Sequence, residues 1–337
     1  MKILFVWTGV TSYMADCWRA LQRRAGVELR LAIVRRDSGG ELDAPRVLAG
    51  LDWSWRDDSH DGAVAWPDWE PDVIFAVGWH GRVVRETVRS HAGVPKICCL
   101  DMPWRRSLRC LAARWVLRPF LAHYSAALVA GSSAARYARW LGFGRIQTGV
   151  FALRLARFAA AFRVPRAERR GFLYVGRAAR EKRLDVLVRA WRRYRAAGGA
   201  WTLDLAGGAG LAAVAEAAGE GVRYLGFVTP VELPGVYARH GALVLASDFD
   251  PWPLVVLEAR AAGLAIVASE RATCWPELVP PGAGAVVPAG DEKAFAVAMA
   301  QAEAGAFAPP PPATLAYWDC ETWVGRALAL AGEVARA

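Results

Sequence analysis

The stretch Ser247-Asp-Phe-Asp-Pro-Trp-Pro-Leu-Val-Val-Leu-Glu258 sets two carboxylates, Asp250 and Glu258, eight positions apart. Pro251-Trp252-Pro253 forms a turn between them and leads into an apolar run. Prolines suit a helix entry, where the amide they lack would have no partner anyway. Leu254 and Val255 therefore fall on the first turn of a buried helix, whose free backbone N–H groups can hold an anion. One carboxylate stands at the entry loop and the other about two turns in. That layout suits a ligand with hydroxyls at both ends of a diphosphate.

Outward from this stretch, strand-like and helix-like patterns alternate. Short apolar runs at 171–175, 201–206, 222–225, 242–246 and 265–268 read as strands, with helical spacing at 184–196, 211–218, 232–240 and 254–262. The same alternation fills the amino-terminal half. Strands are expected at 2–7, 27–34, 73–77, 96–100 and 128–130, and helices at 13–24, 82–90 and 133–140. Such βα alternation predicts parallel sheets covered by helices on both faces. The arginine- and alanine-rich segment 151–170 reads as a linker. The expected division is therefore an amino-terminal domain over 1–165 and a second over 166–315. The four-proline run at 309–312 is a semi-rigid spacer. The helical pattern beyond it, over 316–337, is expected to return to the first domain. A chain of 337 residues is comfortable as two domains of about 150–170 residues each.

A hydrophobic fraction of 55% with 22% charged residues supplies two cores and excludes a disordered chain. The formal net charge is +10, and only four of the 42 basic residues are lysine: Lys2, Lys96, Lys182 and Lys293. The plainer reading of that excess is a GC-rich genome that writes arginine for lysine. The functional reading is attraction to anions such as a nucleotide diphosphate or an anionic membrane surface. Nucleic acid is not expected, because no motif of a known binding module is present. The six cysteines form no C-x-x-C pair and have no histidine at zinc spacing. With no secretory h-region and no run long enough to span a bilayer, a cytoplasmic protein with reduced thiols is expected.

Gly176-Arg177-Ala-Ala-Arg-Glu181-Lys182 follows the first strand of the second half. In a doubly wound sheet, ligands bind beyond the carboxyl ends of strands. Arg177 and Lys182 are thereby expected in the same crevice as the Asp250 loop, where two cations would balance a departing diphosphate. A surface Arg/Lys pair by itself is more often only solvated. Its combination with Asp250 and Glu258 is what carries the reading.

The second half resembles the nucleotide-binding domain of the retaining, GT-B-fold glycosyltransferases of family 4. The matching segments include Tyr174-Val-Gly-Arg177 with Glu181-Lys182, Leu205-Ala-Gly-Gly-Ala-Gly210, Tyr224-Leu-Gly-Phe-Val228, Asp250-Pro-Trp-Pro-Leu-Val-Val-Leu-Glu258, Gly263-Leu-Ala-Ile-Val-Ala-Ser269 and Pro276-Glu277-Leu278-Val279. The resemblance implies two facing Rossmann-like domains with a cleft between them and a carboxy-terminal helix crossing back. It also implies transfer of a sugar from a UDP-, GDP-, ADP- or dTDP-sugar to a carbohydrate, lipid-linked or small-molecule acceptor. The anomeric configuration would be retained, with no metal and no cofactor beyond the donor as co-substrate. Gly176, Arg177 and Lys182 would meet the diphosphate, and Glu258 the ribose hydroxyls. Gly226, Phe227 and Val228 would lie at the base. Asp250, Trp252, Pro253, Leu254 and Val255 would meet the sugar and distal phosphate, with Trp252 as a stacking face. The family usually has glutamate where Asp250 stands, so this carboxylate is one methylene shorter. Asp248-Phe-Asp250 also matches a D-x-D metal motif, but that motif belongs to a one-domain fold and lies early in the chain.

The first half matches less closely. Gly9 in Thr8-Gly-Val-Thr-Ser12 follows strand one and lets backbone approach a phosphate. His80 in Gly78-Trp-His-Gly81 is a candidate sugar contact or proton carrier, against the plainer reading of a loop histidine. Asp101, Trp104 and Arg105 follow the strand at 96–100, where related enzymes often carry a histidine. The segment 108–124, with Arg109, Arg114 and Arg118 beside Leu111, Trp115 and Phe120, reads either as a helix packed on the sheet or, with Arg105 and Arg106, as a basic helix peripheral to an anionic inner membrane face. Two rival functions share the architecture: a sugar-nucleotide epimerase and a catalytically silent binding or scaffold protein.

Overall fold

A computed structural model describes residues 1–35, 43–105 and 107–336. Arg106 lies outside the described residues. The chain divides into two compact units, Met1–Arg154 with Tyr317–Ala337, and Leu155–Ala316.

The first unit runs β1 (Lys2–Thr8), α1 (Ser12–Gln22), β2 (Glu28–Val34), α2 (Ala44–Val47), β3 (Trp53–Arg56), β4 (Val73–Val77), α3 (Arg82–Ser90), β5 (Lys96–Leu100), α4 (Leu108–Leu121), β6 (Ala126–Val129), α5 (Ser132–Leu141) and β7 (Ile146–Thr148). Among the described residues these strands form one parallel sheet ordered β3-β2-β1-β4-β5-β6-β7. Its central strands are almost wholly apolar and buried, as a sheet covered on both faces requires.

The second unit runs α6 (Ala159–Arg163), β8 (Phe172–Gly176), α7 (Leu184–Ala196), β9 (Leu203–Gly207), α8 (Gly210–Ala218), β10 (Val222–Gly226), α9 (Leu233–Arg239), β11 (Ala242–Leu245), α10 (Leu254–Ala261), β12 (Ala265–Ser269), α11 (Trp275–Leu278), β13 (Gly284–Val287) and α12 (Glu292–Glu303). Its parallel sheet is ordered β10-β9-β8-β11-β12-β13. The last helix, α13 (Cys320–Ala335), packs on α1 in the first unit. Trp323 is buried there and donates its indole N–H to the Val150 carbonyl at 2.9 Å. The buried sulfurs of Cys17 and Cys320 approach to 3.4 Å. All six cysteines are buried free thiols.

The segment 151–170, expected as a linker, contains the division between the two units at Arg154–Leu155, and from Leu155 on it is folded into the second unit. It holds the 3-10 turn Leu155–Phe158, then α6, and packs on α9 and α10 within the second unit. Arg169 is the reason. Its guanidinium is buried and donates to the carbonyls of Ala161, Phe162, Val164 and Ala262. A buried cation of this kind is tolerated only when its donors are satisfied. Three short strands, β3, β7 and β13, were not anticipated. Each lies at a sheet edge.

Candidate active site

Strand order in the second unit reverses direction between β8 and β11. The loops leaving the carboxyl ends of two adjacent strands at such a reversal separate to opposite faces and leave a crevice, which is where open α/β sheets bind ligands. Gly176 ends β8, and the loop after it carries Arg177 and Lys182. The loop after β11 carries Asp248 and Asp250.

These two loops are tied together at three points. The Asp248 amide donates to the Glu181 carbonyl at 2.8 Å. Arg183 reaches the Asp248 carboxylate at 2.7 Å. Lys182 Nζ donates to Asp250 Oδ2 at 2.5 Å, with both side chains largely buried. Arg183 sits at φ 47°, a left-handed conformation that costs a non-glycine residue about 1–2 kcal/mol. Its bonds to Asp185 and Asp248 hold it there. Burial pushes the Asp250 carboxyl up and the Lys182 ammonium pulls it back, leaving it above its ordinary value. The backbone of the Asp250 loop is anchored as well: Asp250 N donates to the Arg271 carbonyl, and Thr273 N to the Asp250 carbonyl at 3.0 Å.

Arg177 is mostly exposed and pairs loosely with Glu181 at 3.7 Å. Its carbonyl accepts from the Tyr174 hydroxyl at 2.8 Å, which pins the turn just beyond β8. Gly207, at the end of β9, is the glycine this region depends on. A Cβ there would lie 1.8 Å from the Gly176 carbonyl oxygen, and its φ of 146° is unfavourable for other residues.

Glu258 lies half-buried on α10 and accepts from the Tyr237 hydroxyl of α9 at 2.7 Å. Burial raises its carboxyl to about 7, against the lowering effects of the Tyr237 bond and the Arg157 charge. No side chain caps the start of α10 at Pro253. Leu254 and Val255 on its first turn are half-buried. Trp252 is only 6% exposed, so the expected stacking face is not presented: the Pro251-Trp-Pro253 turn folds the indole inward and Pro253 is buried beside it. At the end of β10, Gly226 and Val228 are half-buried and Phe227 is exposed.

In the first unit the strand order reverses between β1 and β4. Gly9 and the Gly78–Gly81 loop follow those two strands. Gly9 turns at φ 72°, and its amide donates to the Val34 carbonyl at 3.0 Å. His80 is exposed, 5.5 Å from the ring of Trp79. Asp101 and Arg105 are exposed after β5. Trp104 is held elsewhere: it packs edge-on against Trp140 at 5.3 Å and against Tyr137, both on α5.

Sequence reasoning thus placed Lys182 and Asp250 in adjacent loops without foreseeing that they pair. It missed Tyr237, Tyr174 and the Arg183–Asp248 brace. Nothing local marks Tyr237 or the Arg183–Asp248 brace, because each acts on a group far away in the chain; Tyr174 acts only three residues on, at the Arg177 carbonyl.

Residues 169–303 match the family described as glycosyl transferases group 1. Among solved structures, the lipopolysaccharide outer core galactosyltransferase WaaB aligns with a TM-score of 0.70 at 14% identity, over 98% of this chain and 99% of that one. Sucrose-phosphate synthase from Thermosynechococcus elongatus gives 0.66 at 16% identity, over 99% of each chain. HepE from Anabaena, in complex with UDP-glucose, gives 0.67 at 14% identity, over 98% of this chain and 99% of that one. No curated protein matches the sequence. The fold is that of the GT-B glycosyltransferases, and with a group 1 glycosyltransferase domain as its second unit the protein is a glycosyltransferase.

Proposed function

We propose that the protein moves a sugar from a nucleoside diphosphate sugar to an acceptor hydroxyl, with retention at the anomeric carbon and without a metal ion. The observation that carries this reading is the Lys182–Asp250 pair, drawn from two loops to 2.5 Å at the strand reversal of the second unit.

A pyrophosphate in that crevice competes with Asp250 for the Lys182 ammonium. Lys182 moving to phosphate, with Arg177 alongside, balances the charge that grows on the leaving oxygen, the role a metal would otherwise fill. Asp250, released, accepts a hydrogen bond from a sugar hydroxyl. The bond from anomeric carbon to phosphate oxygen breaks as the bond to the acceptor oxygen forms on the same face. The acceptor's proton passes to the departing phosphate. Glu258, oriented by Tyr237, accepts from the ribose hydroxyls as a carboxylate. Phe227 offers an exposed ring to the base. Within the first unit, Gly9, His80, Asp101 and Arg105 stand beyond the carboxyl ends of strands, where an open α/β sheet binds ligands. Trp104, packed on α5, is left out of that role.

Thermal shift with UDP-, GDP-, ADP- and dTDP-sugars identifies the donor, since a ligand that binds only the folded state raises the melting point. UDP-glucose heads that series because the HepE structure contains it. Release of nucleoside diphosphate is then followed against carbohydrate, lipid-linked and small-molecule acceptors. A donor that binds tightly yet is never turned over with any acceptor leaves a silent binding protein, and interconversion of the donor sugar without release leaves an epimerase.

A further inference from the structure

Helix α4 turns its apolar side outward. Leu108 is 86% exposed, Trp115 68% and Val116 74%, with Leu111 beside them. At 3.6 residues per turn, Leu108, Leu111 and Trp115 form one crest. Cys110, Phe120 and Leu121 form the opposite, buried side. Exposed arginines flank the crest: Arg109 on one side, Arg114 and Arg118 on the other. The neighbouring α5 adds exposed Arg136 and Arg139. None of these five pairs with a carboxylate among the described residues. The sequence makes such pairing difficult, because residues 102–167 contain twelve arginines and no aspartate or glutamate. Between α4 and the turn after α5 lies a groove of about 450 Å³, lined by Arg114, Trp115, Arg118, Tyr124 and Phe143.

We infer that α4 is an interfacial helix that docks the first unit on an anionic lipid surface. The crest enters the boundary between headgroups and acyl chains, and the arginines bind headgroup phosphates. Apolar centre and cationic rim together are what an anionic bilayer complements. A second copy of this chain fits poorly, because a twofold contact would place the same arginines face to face. A nucleic acid would meet leucine, valine and tryptophan where it needs cations. At 14 residues α4 lies on a membrane and does not cross it, and no described helix is long and apolar enough to do so. Lipid docking by α4 does not depend on which sugar is transferred.

The test is co-sedimentation of the full chain with vesicles of phosphatidylcholine alone and of phosphatidylcholine with about 30% phosphatidylglycerol, at about 0.1 M salt. The wild type is expected to bind only the anionic vesicles and to be released as salt rises. Replacing Leu108, Trp115 and Val116 together by serine should weaken binding at least about tenfold. Replacing Arg109, Arg114 and Arg118 by glutamine should weaken it by about fivefold per arginine. Thermal melts of both variants check that the fold is kept. No binding by the wild type to anionic vesicles overturns the inference. So does a crest variant that binds as well as the wild type, which would mean charge adsorption alone. A wild-type dimer that becomes monomeric in the crest variant, with vesicle binding unchanged, would assign the face to a second copy instead.

Discussion

Around the β8 and β11 loops, cations reach carboxylates across long stretches of chain: Lys182 to Asp250 and Arg183 to Asp248, with Arg223 to Asp204 and Arg189 and Arg193 to Glu292 elsewhere in the same unit. Along α4 and α5 in the other unit, five exposed arginines have no carboxylate partner among the described residues. The first arrangement sets the positions of loops and brings Lys182 and Asp250 together. The second has no such cross-chain ion pairs, although Arg114 lies over the rings of Trp115 and Trp140, and this leaves its charge available to something outside the chain. A cation's value to the fold therefore depends on whether the packing brings it a partner.

The comparison is broken most directly at Asp204. This buried carboxylate accepts from both Arg223 and His240. Burial raises its affinity for a proton, but the two donors more than offset that and leave it below its ordinary range. Asp204→Ala strands His240 in the core, and urea unfolding should show a loss of about 3–5 kcal/mol. A loss below about 1 kcal/mol would mean that cross-chain pairing is not what holds this unit.

Lys182→Ala comes next. Nucleoside diphosphate release should fall by about 10²-fold or more, equivalent to about 2.7 kcal/mol of barrier. An unchanged rate with saturating donor would remove Lys182 from the chemistry and leave it as a structural partner of Asp250.

Glu258 sharpens the contrast through pH. Its carboxyl titrates at about 7 in the fold and at its ordinary 4.5 when unfolded. Between those values the folded state holds the extra proton, so stability falls as pH rises from 4.5 to 7. Discounted for partial exposure, the loss is about 2 kcal/mol. Glu258→Gln should flatten that slope in urea unfolding measured across the window. A variant that keeps the same slope would place its origin elsewhere.

The smallest effect is expected on the other side of the comparison. Arg109, Arg114 and Arg118 changed to glutamine should each alter unfolding free energy by no more than about 0.5 kcal/mol. A larger loss would show that these side chains support the fold after all.

Much of the second unit was legible because its signals are local. An apolar run, a loop opening with Gly176-Arg177 or Asp250-Pro251, and a helical period each occupy a few consecutive residues. The expected strands at 73–77 and 96–100 and the helix at 82–90 appear at those limits. The edge strands were not legible, since Trp53–Arg56, Ile146–Thr148 and Gly284–Val287 are three or four residues long and lack a sustained apolar run. Arg169 misled for a related reason. Within Pro165-Arg-Ala-Glu-Arg-Arg170 it looks like one of several solvated charges, and only α6 and the end of α10 supply the carbonyls that bury it. Trp252 likewise sat in a segment that promised a ligand-facing ring, and packing turned it inward.

By itself the sequence determined the βα alternation, the two successive windings and the loops in which the candidate residues stand. Those properties follow from backbone periodicity and turn chemistry, which act over neighbouring residues. Only the tertiary structure decided that Lys182 meets Asp250, that Glu258 meets Tyr237 and that the apolar crest of α4 stays uncovered. Pairing and burial depend on which distant segments are brought together, and electrostatic and solvation energies change steeply with that proximity.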